Sequence, residues 1–535
     1  MHAALDIPEI VSLIFGSVGD PDSLKRSKSR DLAALSCVCR GFLEPALDAL
    51  WEKQISLYPF MTCLPADLWT ESMTQETFQY LELRRPLYPS DWERPMYYAK
   101  RVKHLDLFAE ETLPPLEIME VLALSYPAGV LFPNLRQFSW SLYIDDDQYP
   151  YLPLFLGPRL FSIAIDVPER LDYLSLLPTI PLRCPNLVHV ELRSEGSPLD
   201  IHGQFRDTVS LLIRALQWVE DLHIVDIDQL ALVHLSRLES VKRLWICWPG
   251  VSPIADLQPH ALQDVERPFA SLTSFTFFPC TREVAETLLG ALACAPLEAI
   301  EFCTMFACTP QILATLLDEL SDSGSAKHTL GKIAIEATRD ASYPDFVPVQ
   351  LRNHLPLSTE DTPKLTKSLC NLINVFTAMR YIKIYCVGGF DLTDALLLDI
   401  AAAWGRTLEF LWLAPEELTG HSNDVTLAGI HAFVQRCSRL SDVRLQLNAV
   451  HVPSSIPSEA SCPQLHALGV SCSPISNSTA VARYLVASFP KLETIDYHDE
   501  ELTEDASALE REAEDFAKYW GEVQAMIEEH AAEHT

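Results

Sequence analysis

One spacing of apolar residues recurs along most of the chain: apolar, two variable positions, apolar, one variable position, apolar. It occurs fourteen times: Val102-Leu105-Leu107, Leu135-Phe138-Trp140, Leu160-Ile163-Ile165, Leu187-Val190-Leu192, Val219-Leu222-Ile224, Val241-Leu244-Ile246, Leu272-Phe275-Phe277, Leu297-Ile300-Phe302, Leu330-Ile333-Ile335, Met379-Ile382-Ile384, Leu408-Leu411-Leu413, Leu440-Val443-Leu445, Leu465-Leu468-Val470 and Leu492-Ile495-Tyr497. Successive copies begin 22 to 49 residues apart, most of them 25 to 33. The last two apolar positions are two residues apart, so in an extended chain they face one side and the variable residues face the other. Between copies the spacing turns helical, as in Val209-Leu212-Ile213-Leu216, Val284-Leu288-Leu289-Leu292, Ile312-Leu316-Leu317-Leu320 and Val425-Ile430-Val434. A Pro often precedes a copy, as in Phe132-Pro133-Asn134-Leu135, Cys184-Pro185-Asn186-Leu187 and Cys462-Pro463-Gln464-Leu465. Pro cannot continue a helix, so it separates each helix from the next strand.

A strand–helix unit of this size cannot bury its own apolar side, so repeated units stack. Fourteen strands are too many for an ordinary open sheet. The expected architecture is an α/β solenoid over residues 101–498, with parallel strands inside and helices outside. The pattern resembles leucine-rich-repeat proteins, although the Asn that usually follows the template is mostly absent. In such an array the variable strand residues line the inner face and choose the partner. Large aromatics beside Arg or Lys are the residue types of binding hot spots. On that ground Trp245, Phe278, Tyr381, Tyr385, Phe410 and Trp412 form the expected target-binding patch.

Residues 1–55 follow another pattern. Ile7, Ile10, Val11 and Ile14 share a helical face; Leu32, Leu35, Val38 and Leu43 begin a second apolar pattern, and Leu47, Leu50 and Trp51 a third. A polar stretch from Gly19 to Arg30 divides the first from the second. Three such helices have little core of their own. In order and spacing, Leu5, Ile7-Pro8-Glu9-Ile10, Ile14-Phe15, Leu32, Leu35, Val38-Cys39-Arg40-Gly41-Phe42 and Leu50-Trp51 resemble an F-box, with a longer polar insertion at Asp20–Arg30. The chain as a whole is similar to fungal F-box domain proteins. The resemblance implies docking on the small adaptor subunit of a cullin–RING (SCF-type) ubiquitin ligase, with Pro8, Ile10, Ile14, Leu32 and Val38 as apolar contacts. The repeats would then hold a target protein. The alternative is a repeat scaffold with no ubiquitin-ligase role, whose N-terminal helices only cap the array.

Composition narrows the function. The 535-residue chain carries a formal net charge of -33, which disfavours nucleic acid and anionic membranes. Lys25, Arg26, Lys28 and Arg30 form the one obvious basic cluster, expected in a polar loop. The 14 Cys include no Cys-x-x-Cys pair, and those in apolar runs (Cys294, Cys386, Cys437) read as buried, reduced thiols of a cytoplasmic or nuclear protein. No signal peptide and no apolar stretch long enough to span a membrane is read from the sequence. Phosphate-loop, dinucleotide and nucleophile-elbow motifs are missing, so no enzyme, cofactor or metal is expected. His530-Ala531-Ala532-Glu533-His534 has a zinc-peptidase spacing but no third ligand beyond it. Residues 499–535 hold thirteen Asp or Glu against two Lys or Arg and read as a solvated acidic helix. Residues 56–100 read as a connector, part helical and part irregular. The Pro-rich stretch Ala341–Pro363 and the acidic run Asp145-Asp146-Asp147 read as loops.

Overall fold

A computed structural model of the protein describes residue 5 and residues 7–534, apart from 19–24, 70–81, 108–112, 141–145, 169, 194–201, 225–226, 247–261, 263, 281, 305–313, 315–316, 319, 322–325, 338–361, 387–389, 416–423, 455–461, 463, 472 and 498–507. The chain divides into two compact units, Met1–Ala231 and Leu232–Thr535.

The first unit contains strands β1 (Lys53–Gln54), β2 (His104–Leu107), β3 (Gln137–Trp140), β4 (Ser162–Asp166), β5 (His189–Arg193) and β6 (Asp221–Ile224). The second contains β7 (Arg243–Ile246), β8 (Ser274–Cys280), β9 (Ala299–Thr304), β10 (Lys332–Ala337), β11 (Tyr381–Cys386), β12 (Phe410–Pro415), β13 (Asp442–Leu445), β14 (Ala467–Ser471) and β15 (Thr494–Tyr497). Within each unit every strand pairs in parallel with its successor in sequence. Strand order that follows chain order, with helices between the strands, is the α/β solenoid that the spacing predicts. β2 to β15 fall on the fourteen template copies; β1 precedes them. Every apolar template position is buried except Tyr497, which is half-buried. Helices His202–Ala215, Arg282–Leu292 and Leu427–Arg436 match three of the four helical spacings, and much of the fourth lies outside the described residues.

The repeats are fastened by a recurring backbone device. The carbonyl two residues before the first apolar core residue of a strand accepts two N–H groups of the next unit. Lys103 O takes Arg136 N (2.8 Å) and Gln137 N (3.0 Å); Arg136 O takes Phe161 N (3.0 Å) and Ser162 N (3.1 Å). The same fork recurs at Gly331 O with Arg380 N and Tyr381 N, and at Arg380 O with Glu409 N and Phe410 N. It sets the register before the strands begin, so side chains of successive units line up in rows. The residue after the punctuating Pro adds a side-chain staple. Asn134 Nδ2 donates to Lys100 O (2.6 Å), Asn186 Nδ2 to Pro158 O (3.0 Å), and Gln464 Nε2 to Val434 O (2.9 Å).

The connector, residues 56–100, holds helices Tyr58–Met61 and Glu93–Ala99, and Phe60 and Trp92 pack with Tyr126 and Phe132 in a buried aromatic cluster. Two expectations change. The basic cluster is not in a loop: Lys25, Arg26, Lys28 and Arg30 all fall within a helix, Lys25–Ser36. The acidic tail is not simply solvated. Its helix, Ala508–His534, buries Trp520, Val523 and Ile527, spaced three and four residues apart on one face. That face lies on the end of the array: Trp520 Nε1 donates to Ser473 O (2.8 Å), and Gln524 Oε1 accepts Ile495 N of β15 (2.6 Å). A terminal strand otherwise offers unpaired N–H groups to other chains, and this helix covers it.

The thiols also divide. Cys437 is buried as expected, but Cys294 is exposed; the Cys386 side chain lies outside the described residues. Burial pushes the Cys184 and Cys437 thiols up to about 12. Only the thiolate is nucleophilic. Under mildly alkaline native conditions a maleimide is therefore expected to label Cys37 and Cys294, both exposed, while Cys184 and Cys437 label only after unfolding. Peptide mass mapping reads the difference; prompt native labelling of Cys437 would contradict the packing.

Candidate protein-interaction surfaces

The N-terminal module is three helices, α1 (Pro8–Gly16), α2 (Lys25–Ser36) and α3 (Arg40–Trp51). Pro8 stands in the first turn of α1, where its missing N–H costs no hydrogen bond. Val11, Phe15, Leu32, Phe42 and Ala46 form the module's own core, with Phe15 edge-on to Phe42 at 5.2 Å. Of the five expected adaptor contacts, Pro8, Ile14 and Val38 are exposed and Ile10 is half-buried. Val38 stands in the turn between α2 and α3. Leu32 is a correction: at 1% exposure it is spent on the core and presents nothing to a partner. Leu13, which the sequence reading missed, is 75% exposed. It lies one turn from Ile10 at i+3, the spacing that could have found it. Ile10, Leu13 and Ile14 thus form an apolar flank of α1 beside the face that builds the core.

α3 ties the module to the first strands. Arg101, just before β2, donates to Glu44 and Asp48 of α3, and its guanidinium lies over the Tyr97 ring at 4.7 Å. Tyr97 OH donates to Glu44 (2.7 Å), Trp51 stacks on Tyr98 (4.7 Å), and Glu52 O accepts both Lys103 N and His104 N (2.9 Å each). The hydrogen bonds from Arg101 and Tyr97 hold the Glu44 carboxyl below the usual carboxylate range.

On the side of the sheet away from the helices, the first unit is polar. His189 and Glu191 on β5 stand opposite Asp221 and His223 on β6, with His189 Nδ1 3.6 Å from Asp221 Oδ2 and His223 Nδ1 3.7 Å from Glu191 Oε1. His223, opposed by partial burial and aided by Arg193, lowers the Glu191 carboxyl. Arg193 also pairs with Asp166 at 3.0 Å. The acidic run near Asp145 is partly engaged, since Asp147 accepts from Arg170 (2.6 Å).

The second unit gathers rings on the corresponding face. Register places Lys332, Tyr381, Phe410 and Asp442 in one row, and Ala334, Lys383, Trp412, Arg444, Gly469 and Asp496 in the next. Tyr381 stacks on Phe410 (4.3 Å, 8° between planes), and Phe410 meets Trp412 at 6.1 Å. Lys332 lies over Tyr381 at 5.1 Å; Lys383 and Arg444 lie over Trp412 at 4.6 and 4.4 Å. Arg444 also pairs with Asp442 (3.2 Å) and, two strands away, with Asp496. Gly469 makes that reach possible: a Cβ there would stand 2.6 Å from Arg444 Cγ. Of the six residues expected to form the patch, the structure brings together Tyr381, Phe410 and Trp412. Trp245, 44% exposed, occupies the same row, but on β7, five strands or roughly 24 Å from Trp412. Phe278 and Tyr385 fall in β8 and β11, with their side chains outside the described residues. The cations that lie over the rings, Lys332, Lys383 and Arg444, are not in the expected patch. The Pro-rich insertion lies almost wholly outside the described residues.

Among the described residues, no helix is long and apolar enough to cross a membrane, and no three His, Cys, Asp or Glu are grouped to hold a metal ion. The side chains of Glu533 and His534 in the zinc-peptidase spacing lie outside the described residues. No protein-family model matches the chain, and no curated protein matches it. Among solved structures, the chain is similar to one reported as "Crystal structure of Rad7 and Elc1 complex in yeast", at 15% identity and a TM-score of 0.34, covering 73% of this chain and 84% of that one. A likeness of that size carries no weight for function.

Proposed function

We propose that the chain is the substrate-recognition subunit of a cullin–RING ubiquitin ligase: the N-terminal module docks on the ligase's small adaptor subunit, the solenoid holds a target protein, and other subunits supply the chemistry. The observation that carries this reading is the division of apolar residues in the module. Its core is complete with Val11, Phe15, Leu32, Phe42 and Ala46, yet Ile7, Leu13, Ile14 and Val38 remain exposed in the same short segment that resembles an F-box. A small module that leaves apolar side chains in water next to a finished core has the character of an interface. The ring cluster of the second unit supports the other half of the reading, because rigid aromatics flanked by cations suit a protein partner.

The test is titration calorimetry of the purified chain against the adaptor subunit. Ile10→Asp/Ile14→Asp is expected to weaken binding by at least about thirtyfold, as loss of a hot spot does. Leu211→Asp, an exposed apolar residue on helix His202–Ala215, should change nothing. Absence of binding by folded wild-type protein would remove the ligase reading and leave an interaction scaffold.

A further inference from the structure

We propose that Cys37 and Cys39 form a redox switch in the N-terminal module: a peroxide closes a disulfide between them, around the exposed Val38, and adaptor binding falls. This rests on the reading of the module as the docking surface, and it names a way in which that surface is regulated.

The pair stands apart from the other thiols. Of the 14 Cys, only Cys37 and Cys39 lie within two residues of each other. Cys63, Cys184, Cys437 and Cys462 are buried, whereas Cys37 is exposed and Cys39 is half-buried against the edge of the module's core. An oxidant in solution therefore reaches Cys37, and Cys39 stands next to it as a resolving thiol.

Local geometry allows closure. A disulfide needs Cα atoms roughly 4.4–6.8 Å apart. Two residues span at most about 7 Å when fully extended. Here the chain is turning: Cys37 N donates to Ala34 O (3.0 Å) and Val38 N to Leu35 O (3.1 Å). Cys39 precedes the first turn of α3, and its side chain makes no capping bond there. Its sulfur can be redirected without loss of a helix cap.

The consequence falls on Val38. It is 61% exposed and lies inside the ring that the disulfide closes. Drawing Cys37 and Cys39 together resets the Val38 backbone, and the side chain leaves the orientation in which it meets a partner. So small a ring is strained, and strained disulfides are the readily reduced, regulatory kind.

The chemistry balances in two steps. The Cys37 sulfur attacks one peroxide oxygen, the O–O bond breaks, and Cys37 becomes a sulfenic acid with release of one water. The Cys39 sulfur then attacks the sulfenic sulfur, the S–S bond forms, the S–O bond breaks, and a second water leaves. A dithiol reductant reverses the change.

The experiment treats the full chain with hydrogen peroxide, maps its peptides by mass, and titrates it calorimetrically against the adaptor subunit before and after dithiothreitol. The peptide holding Cys37 and Cys39 should become lighter by two hydrogens, adaptor affinity should fall by about tenfold, and dithiothreitol should restore both. Cys37→Ser should bind as the reduced wild type does and ignore peroxide. The oxidised chain should keep its cooperative thermal unfolding; loss of that transition would mean damage rather than a switch. A Cys37 that stops at the sulfinic acid, or that links two chains, would overturn the pairing. A Cys37–Cys39 disulfide that leaves affinity unchanged would overturn the switch. Absence of binding by the reduced wild-type chain is a different result: it removes the docking reading and the switch with it, while the mass map still decides whether the disulfide forms.

Discussion

Trp520→Ala should lower the stability of the second unit by about 3–5 kcal/mol, the usual cost of emptying a buried aromatic site. Trp520 is fully buried, and its indole N–H is given to Ser473 O. Ser473 is itself a junction: its hydroxyl accepts Leu447 N (2.8 Å) and donates to Val470 O. Truncation therefore opens a cavity and leaves a buried carbonyl short of a partner. The damage spreads to the last strand, because Gln524 on the same helix accepts Ile495 N and donates to Glu493 O (3.2 Å). An unfastened helix would expose β15, and exposed strand edges pair with other chains. Urea denaturation should show a lowered midpoint, hydrogen exchange should show early loss of protection at Ile495, and light scattering should rise. Trp520→Phe retains most of the volume and should cost less than half as much. An unchanged urea midpoint for Trp520→Ala would mean that the tail does not stabilise the array.

The tail shows why the sequence reading reached some features and missed others. Its thirteen acidic residues dominate the pattern and mask Trp520, Val523 and Ile527, although these three share one helical face. The strands were read far better. A template position carries one requirement, burial against the helices, and each copy states it three times over. Which open-face residues meet is another matter. Tyr381 and Phe410 become stacked neighbours because the backbone fork at Arg380 O sets their register, and no property of either residue reports that. Trp245 satisfies the same composition rule yet sits strands away. In the module, helical spacing marks apolar residues without saying whether they meet their own core or a partner. Leu32 therefore has the spacing of a contact although it belongs to the core, while Leu13, equally apolar, reaches solvent.

Arg101 supplies the second large effect, and its size depends on which partner is removed. The guanidinium side chain is 4% exposed, whereas Glu44 and Asp48, which hold it, are 58% and 59% exposed. Removing both carboxylates leaves a buried cation uncompensated, and Glu44→Ala/Asp48→Ala should cost about 3–5 kcal/mol. Arg101→Met should cost less, because the two freed carboxylates already reach water and the thioether fills apolar volume. The triple change should recover most of what the double change loses, which a cycle of urea midpoints would show. Acid gives an independent check. Arg101 and Tyr97 hold the Glu44 carboxyl below its ordinary range, so its contribution is full above its unfolded value of about 4.3 and is lost as pH falls through the lower folded value. Arg101→Met removes the larger cause of that shift and should flatten the acid limb of the stability curve. The link to function is mechanical. This cluster, with Trp51 on Tyr98, joins α3 to the first strands, so loosening it should let the module turn on the array while leaving the α1 flank intact. Binding of the adaptor subunit by Glu44→Ala/Asp48→Ala at low temperature, with the module less protected from proteolysis at α3, would separate the joint from the docking surface. Loss of docking in that still-folded variant would show that α3 must be held for α1 to be presented.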